Sequence, residues 1–143
     1  MCKIKKIKIL GINFIDAEFE TIKCLLDKNG GLLVLPAGPT LANINNDKKY
    51  FTAIKNSDFV LFDSGYLCIL LKILKKIQVK KFSGYIFFKK LFESLKKEKK
   101  LKIFLVDANK KQSIINKKFF IKNNIKNTIN NVGPFYKKNR IID

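Results

Sequence analysis

The chain has 143 residues, 47% of them hydrophobic, with 30 basic against 11 acidic side chains and a formal net charge of +19. A chain of this length buries roughly two thirds of its unfolded surface, enough for one domain over residues 1–143, and the recurrence of Ile, Leu, Phe and Val from end to end excludes a disordered polyelectrolyte. The lack of histidine excludes Ser-His-Asp and Cys-His mechanisms, while Cys2, Cys24 and Cys68, widely spaced and odd in number, make neither a zinc site nor a disulfide framework.

Ile7 and Ile9 alternate with Lys6 and Lys8, which predicts a strand pairing across Gly11 with residues 12–15 as a short hairpin. Asp16 reads as the N-cap of a helix with Glu18 and Glu20 in its first turn, Ile22, Leu25 and Leu26 along its apolar stripe, and its end near Gly30. Residues 32–35 form a short apolar run, broken by Pro36-Ala37-Gly38-Pro39 and followed by two short helices over 41–44 and 50–54. Residues 59–62 are a second buried run, ended by Asp63-Ser64-Gly65, after which Leu67, Leu70, Leu71 and Leu74 recur at helical spacing. A helix over 85–100 is expected to carry Phe88, Leu91, Phe92 and Leu95 on its inner face. A third buried run at 103–106 ends at Asp107-Ala108-Asn109, a lysine-rich helix extends to about Lys122, and residues 127–132 form a fourth strand before Gly133-Pro134.

Apolar strands alternating with helices predict an α/β, Rossmann-like three-layer domain with a mostly parallel sheet. Cys24 and Cys68 fall in helical patterns and read as small core hydrophobes in a reducing cytoplasm. Residues 1–10 are basic and lack the long apolar stretch and small-residue cleavage site of a signal peptide, and the uncharged stretch over 30–46 is interrupted by prolines and asparagines, so it does not read as a membrane span. Of the basic residues only Arg140 is an arginine, which argues against a specific nucleic-acid partner and for a solvated lysine surface or a peripheral contact with anionic membrane.

In a parallel sheet the loops leaving the carboxyl ends of the strands collect the ligand, and here these are residues 36–40, 63–66 and 107–110. Asp63 ends a buried strand and precedes a helix, so it reads either as a general base or as an N-cap, a role Ser64 fills equally well. Pro36-Ala37-Gly38-Pro39-Thr40 reads as a turn before a helix, with Gly38 open enough for backbone to approach a sugar or phosphate. Ser83-Gly84 is similarly two-sided, and no GxGxxG fingerprint occurs.

The segments Leu32-Leu-Val-Leu-Pro-Ala-Gly-Pro-Thr-Leu-Ala42, Asp47-Lys-Lys-Tyr50, Asn56-Ser-Asp-Phe-Val-Leu-Phe-Asp-Ser-Gly65, Phe82-Ser-Gly84 and Leu101-Lys-Ile-Phe-Leu-Val106 follow one another in an order that resembles the WecG/TagA/CpsF family of bacterial glycosyltransferases. The resemblance implies transfer of an N-acetylhexosamine, typically N-acetylmannosamine, from a UDP-sugar donor to a polyprenyl-diphosphate-linked sugar acceptor in cell-envelope polysaccharide synthesis. It further implies an inverting reaction with no essential metal or cofactor. Asp63 falls on the family's catalytic aspartate, as base for the acceptor hydroxyl. The candidate substrate contacts are Pro36, Ala37, Gly38 and Thr40, then Ser64 and Gly65, Ser83 and Gly84, and Asp107 and Asn109.

Two departures shape the expectation. Leu35-Pro36-Ala37 stands where the family shows T-P-N, with Thr40 as the compensating hydroxyl, and Val106-Asp107-Ala108 stands where it shows L-G-G. The family's G-x-P-x-Q-E segment and basic C-terminal segment have no counterpart before Asp143, so the fold is expected to be truncated there and the isolated chain to bind UDP-sugars poorly without a partner. The rival readings are a catalytically inactive remnant and a basic module for RNA or another polyanion.

Overall fold

A computed structural model describes residues 4–134; Cys2, Phe135, Tyr136 and Arg140 lie outside the described residues. The first strand, β1 (Lys5–Ile9), turns through Leu10 and Gly11 into β2 (Ile12–Asp16), pairing Ile9 with Ile12 as the hairpin pattern predicts. Both turn residues have positive φ, 50° at Leu10 and 78° at Gly11, the geometry that matches the twist of a two-residue hairpin. The lysines of β1 face water while Ile7 and Ile9 are buried.

Helix α1 (Phe19–Asn29) follows and ends at Gly30, whose φ of 67° suits a residue without a Cβ. Asp16 is not its N-cap: Asp16 closes β2, and Glu18 occupies the cap position without a side-chain bond to the helix. The strand runs one residue further than expected because Asp16 is paired with Lys5 in the hairpin ladder. Cys24 is exposed on α1, contrary to its expected core position, since Ile22 and Phe19 take the buried side.

A short β3 (Leu33–Val34) leads into α2 (Gly38–Ala42), a 3-10 turn over Ile44–Asn46, and α3 (Lys48–Lys55), capped by the Asp47 carboxylate accepting from Tyr50 N–H at 2.9 Å. Next come β4 (Phe59–Leu61), buried at every position, and α4 (Gly65–Lys75). The sheet order is β1-β2-β4-β3, with β2 and β3 both parallel to β4 and only β1 antiparallel. Ile12, Phe14 and Val60 face a core shared with Leu41, Ile44, Ile54 and Leu71 of the intervening helices, and Phe14 stacks on Phe62 at 4.8 Å. Ile15 and Leu61, of opposite parity along their strands, are buried too, so both faces of this sheet are covered. Cys68 is half-buried against the same core, and that burial pushes its thiol up.

Two compact units divide the chain within α5 (Gly84–Lys97), the first ending at Lys90 and the second starting at Leu91. In the first unit Phe87 is the buried aromatic of α5, edge-on to Phe19 at 5.4 Å and to Phe82 at 5.7 Å, while Phe88 is exposed rather than inward. One residue is about 100° of helix rotation, enough to exchange the two faces.

The second unit adds β5 (Ile103–Asp107), α6 (Lys110–Lys122) and β6 (Thr128–Val132), with β5 and β6 paired in parallel as a separate two-stranded sheet. Its core gathers Phe92, Phe120 and Ile125 with Leu95, Ile103 and Leu105 against them. The run over 103–106 is not buried throughout: Phe104 is 59% and Val106 69% exposed, because the described residues pack only one face of this sheet. Three of the four strand pairings are parallel, and the alternation of strands and helices is of the α/β, Rossmann-like class expected, with the strands in two sheets, one in each unit.

Candidate active site

Everything at the carboxyl end of β4 follows from how the chain leaves a fully buried strand. Ser64, itself buried, turns its Oγ to accept from Leu67 N–H at 3.2 Å and so caps α4, which settles the choice of cap in favour of serine. Asp63 is thereby released from capping its own helix. Its Oδ1 instead accepts from Gly84 N–H at 2.8 Å, tying the start of α5 to the end of β4 across 21 residues of sequence. Among the described residues no other group donates to the half-buried Asp63 carboxylate.

The link between α4 and α5 is fastened along this edge. Phe82 N–H donates to the Phe62 carbonyl at 2.7 Å, Lys80 N–H donates to Asp16 Oδ1 at 3.3 Å, and the Lys80 ammonium pairs with Glu18. Each member of that exposed pair holds the other charged, the Glu18 carboxyl falling below and the Lys80 amine rising above its ordinary value. Lys81 comes next and lies over Gly65, its Nζ 3.5 Å from where a Cβ on that glycine would stand. Lys80 and Lys81 carry little signal in the sequence: they are a pair of cations in a link without periodicity, with Asp16 and Glu18 far upstream as their complement.

Gly38, Ser64, Gly65, Ser83 and Gly84 converge here with Asp63. A Cβ on Gly38 would come within 2.8 Å of Ser64 Oγ, so the loop over 36–40 closes directly onto the cap of α4. A Cβ on Gly84 would lie 3.9 Å from Asp63 Oδ1, and Ser83 Oγ accepts from Ile86 N–H at 3.5 Å. Ala37 and Thr40 are exposed on the same loop, whereas Pro36 is buried and lines a small apolar cleft with Leu32, Val34, Tyr50 and Ile54.

Asp107 and Asn109 belong to the second unit and are engaged within it. The buried Asp107 carboxylate accepts from Asn116 Nδ2 at 2.6 Å and from Asn130 Nδ2 at 2.8 Å, and Asn109 caps α6 by accepting from Gln112 N–H at 2.8 Å. Hydrogen bonds from Asn130, Asn116 and Ser113 hold Asp107 below the usual carboxylate range despite the opposing effect of burial. Among the described residues no group of three or more His, Cys, Asp and Glu side chains stands ready to hold a metal ion.

Two expectations follow from these contacts. Gly38→Ala is expected to lower stability by about 1–3 kcal/mol through overpacking, since Ser64 is buried and committed to its cap. Adding Ser64→Ala, which alone costs about 1 kcal/mol as a lost cap, removes the clashing oxygen and should recover part of the loss. Urea denaturation of the two single variants and the double variant measures that coupling. Second, a depressed Asp107 contributes stability that is present above its unfolded value, near 3.8, and lost as the pH falls through its lower folded value. Asp107→Asn sets an amide donor among donors and should destabilise the second unit at neutral pH. Thermal unfolding against pH should show that deficit shrinking below about pH 4.

Residues 3–135 match the family model described as Glycosyl transferase WecG/TagA/CpsF family. No curated protein and no solved structure gives a match. With the match spanning nearly all of the sequence, and the strand end, cap and glycine loops of the resemblance gathered around Asp63, the chain belongs to the WecG/TagA/CpsF family of glycosyl transferases.

Proposed function

We propose that residues 1–143 act as one glycosyltransferase-like domain that moves an N-acetylhexosamine from a UDP-sugar onto a hydroxyl of a polyprenyl-diphosphate-linked sugar, with inversion and with Asp63 as general base. The observation that carries this reading is the state of the Asp63 carboxylate: Oδ1 is fixed by Gly84 N–H, and Oδ2 meets no donor among the described residues where the glycine loops converge. A fixed carboxylate with one free oxygen is arranged to take a proton from a bound hydroxyl.

In the proposed step the acceptor oxygen attacks the anomeric carbon as its proton passes to Asp63 Oδ2. The new carbon–oxygen bond forms while the bond to the diphosphate breaks, and UDP departs with the electron pair. The leaving diphosphate gains negative charge, which the Lys81 ammonium beside Gly65 and the first amides of α4 are suited to stabilise. Ala37, Gly38 and Thr40 offer backbone and a hydroxyl to the sugars from the facing loop, and Gly65, Ser83 and Gly84 from the other side. Pro36 and Ser64 support the site by packing and capping, and Asp107 and Asn109 support the second unit in the same way.

Acceptor-dependent release of UDP is the test. Cell extract depleted of this chain and replenished with it should release UDP from a UDP-N-acetylhexosamine only when a polyprenyl-diphosphate-linked sugar is added. Release that ignores the acceptor, or that requires a different nucleotide donor, would overturn the reading.

A further inference from the structure

Helix α4 buries Leu71 and packs Leu67 and Cys68 against the core, yet its other side is apolar as well. Tyr66 is 72%, Ile69 56%, Ile73 68% and Leu74 75% exposed, and residues 66, 69 and 73 recur at the spacing of one helix face. A water-facing surface helix would carry polar side chains there. The polar residues α4 does carry in its last turn are cations, Lys72 and Lys75, followed by Lys76 at the cap, all exposed.

We propose that this face of α4 docks on an anionic lipid bilayer, lying in the interface with its apolar side chains among the acyl chains and Lys72, Lys75 and Lys76 at the headgroups. Charge decides among the occupants. A second copy would set the same lysines against each other in a chain of net charge +19, and the segment over 135–143 brings Lys137, Lys138 and Arg140 against Asp143 alone. An anionic bilayer meets both halves of the surface, since each lysine near it is attracted and each apolar side chain gains by leaving water. No helix among the described residues is long and apolar enough to cross a membrane, so the contact is one of lying on the surface. The face also begins beside the reaction: Tyr66 is in the first turn of α4, two residues after the Ser64 cap, and the exposed Tyr85 is in the first turn of α5, next to the Gly84 that holds Asp63. A lipid-linked acceptor would thus be met at the bilayer surface. That consequence rests on the proposed function, whereas the docking is measured without donor or acceptor, so either can fail while the other stands.

The experiment is flotation of the full chain with vesicles of phosphatidylcholine alone or with about a third phosphatidylglycerol, beside the triple variant Ile69→Ser, Ile73→Ser, Leu74→Ser. These positions are exposed, so the variant should keep its circular dichroism and unfolding midpoint. The expected result is binding to the anionic vesicles that falls at least tenfold in the variant and is weak on phosphatidylcholine. Equal binding by wild type and variant would overturn the proposal, because charge alone would account for it. Dimerisation of the wild type that the variant loses, without vesicle binding by either, would overturn it in favour of a second copy.

Discussion

Asp63→Asn should lower sugar transfer by about a hundredfold or more while leaving the unfolding midpoint nearly unchanged. The separation of the two effects comes from the geometry. The Asp63 Oδ1 contact with Gly84 N–H at 2.8 Å needs only an acceptor, and the amide oxygen of asparagine supplies one, so the start of α5 stays fastened. What asparagine lacks is a carboxylate oxygen to accept the proton of the acceptor hydroxyl. Asp63→Ala removes both and should lose stability as well, so the pair of variants divides the residue's two roles. Initial rates of transfer in replenished extract, with thermal unfolding of each variant, make the comparison. Turnover by Asp63→Asn equal to wild type would remove this carboxylate from the reaction.

Phe62→Ala should be the most destabilising single change in the first unit, at about 3–5 kcal/mol. Phe62 is 1% exposed, stacks on Phe14 at 4.8 Å, and its carbonyl accepts from Phe82 N–H at 2.7 Å. Truncation opens a cavity between β2, β4 and α4 that a sheet buried on both faces cannot readily close. For a unit of this size such a loss lowers the midpoint by about 15 °C or more, and it should also loosen Asp63, the next residue. Phe62→Leu, which keeps most of the volume, should cost far less. Circular dichroism melts of the two variants provide the measurement, and a Phe62→Ala midpoint within a few degrees of wild type would contradict the packing described.

The hairpin, the helices after residues 16, 64, 83 and 109, and the strand at 59–62 were legible in the sequence because periodicity and turn residues are local signals. The errors share a physical cause. Asp16 and Glu18, or Phe87 and Phe88, differ by one or two residues in a pattern whose reading depends on where a strand stops or which side of a helix finds a partner, and those partners are distant in sequence. The one-sided packing of β5 was hidden in the same way, since an apolar run looks identical whether one face or two are covered. At the site, Asp63 stood out because a carboxylate ending an apolar run is locally visible. Its bond to Gly84, the closure of Gly38 onto Ser64, and Lys81 over Gly65 are contacts between segments that only folding brings together.

A single displacement assisted by one carboxylate leaves a stereochemical record. The central claim is tested most directly by the anomeric configuration of the new linkage, read by proton NMR on the product made from a UDP-N-acetylhexosamine of known configuration. Inversion at the anomeric carbon is the result predicted for direct attack by an acceptor hydroxyl deprotonated by Asp63. Retention would contradict it, because a single displacement by the acceptor hydroxyl inverts the anomeric carbon, and retention would give Asp63 a role other than that of a general base.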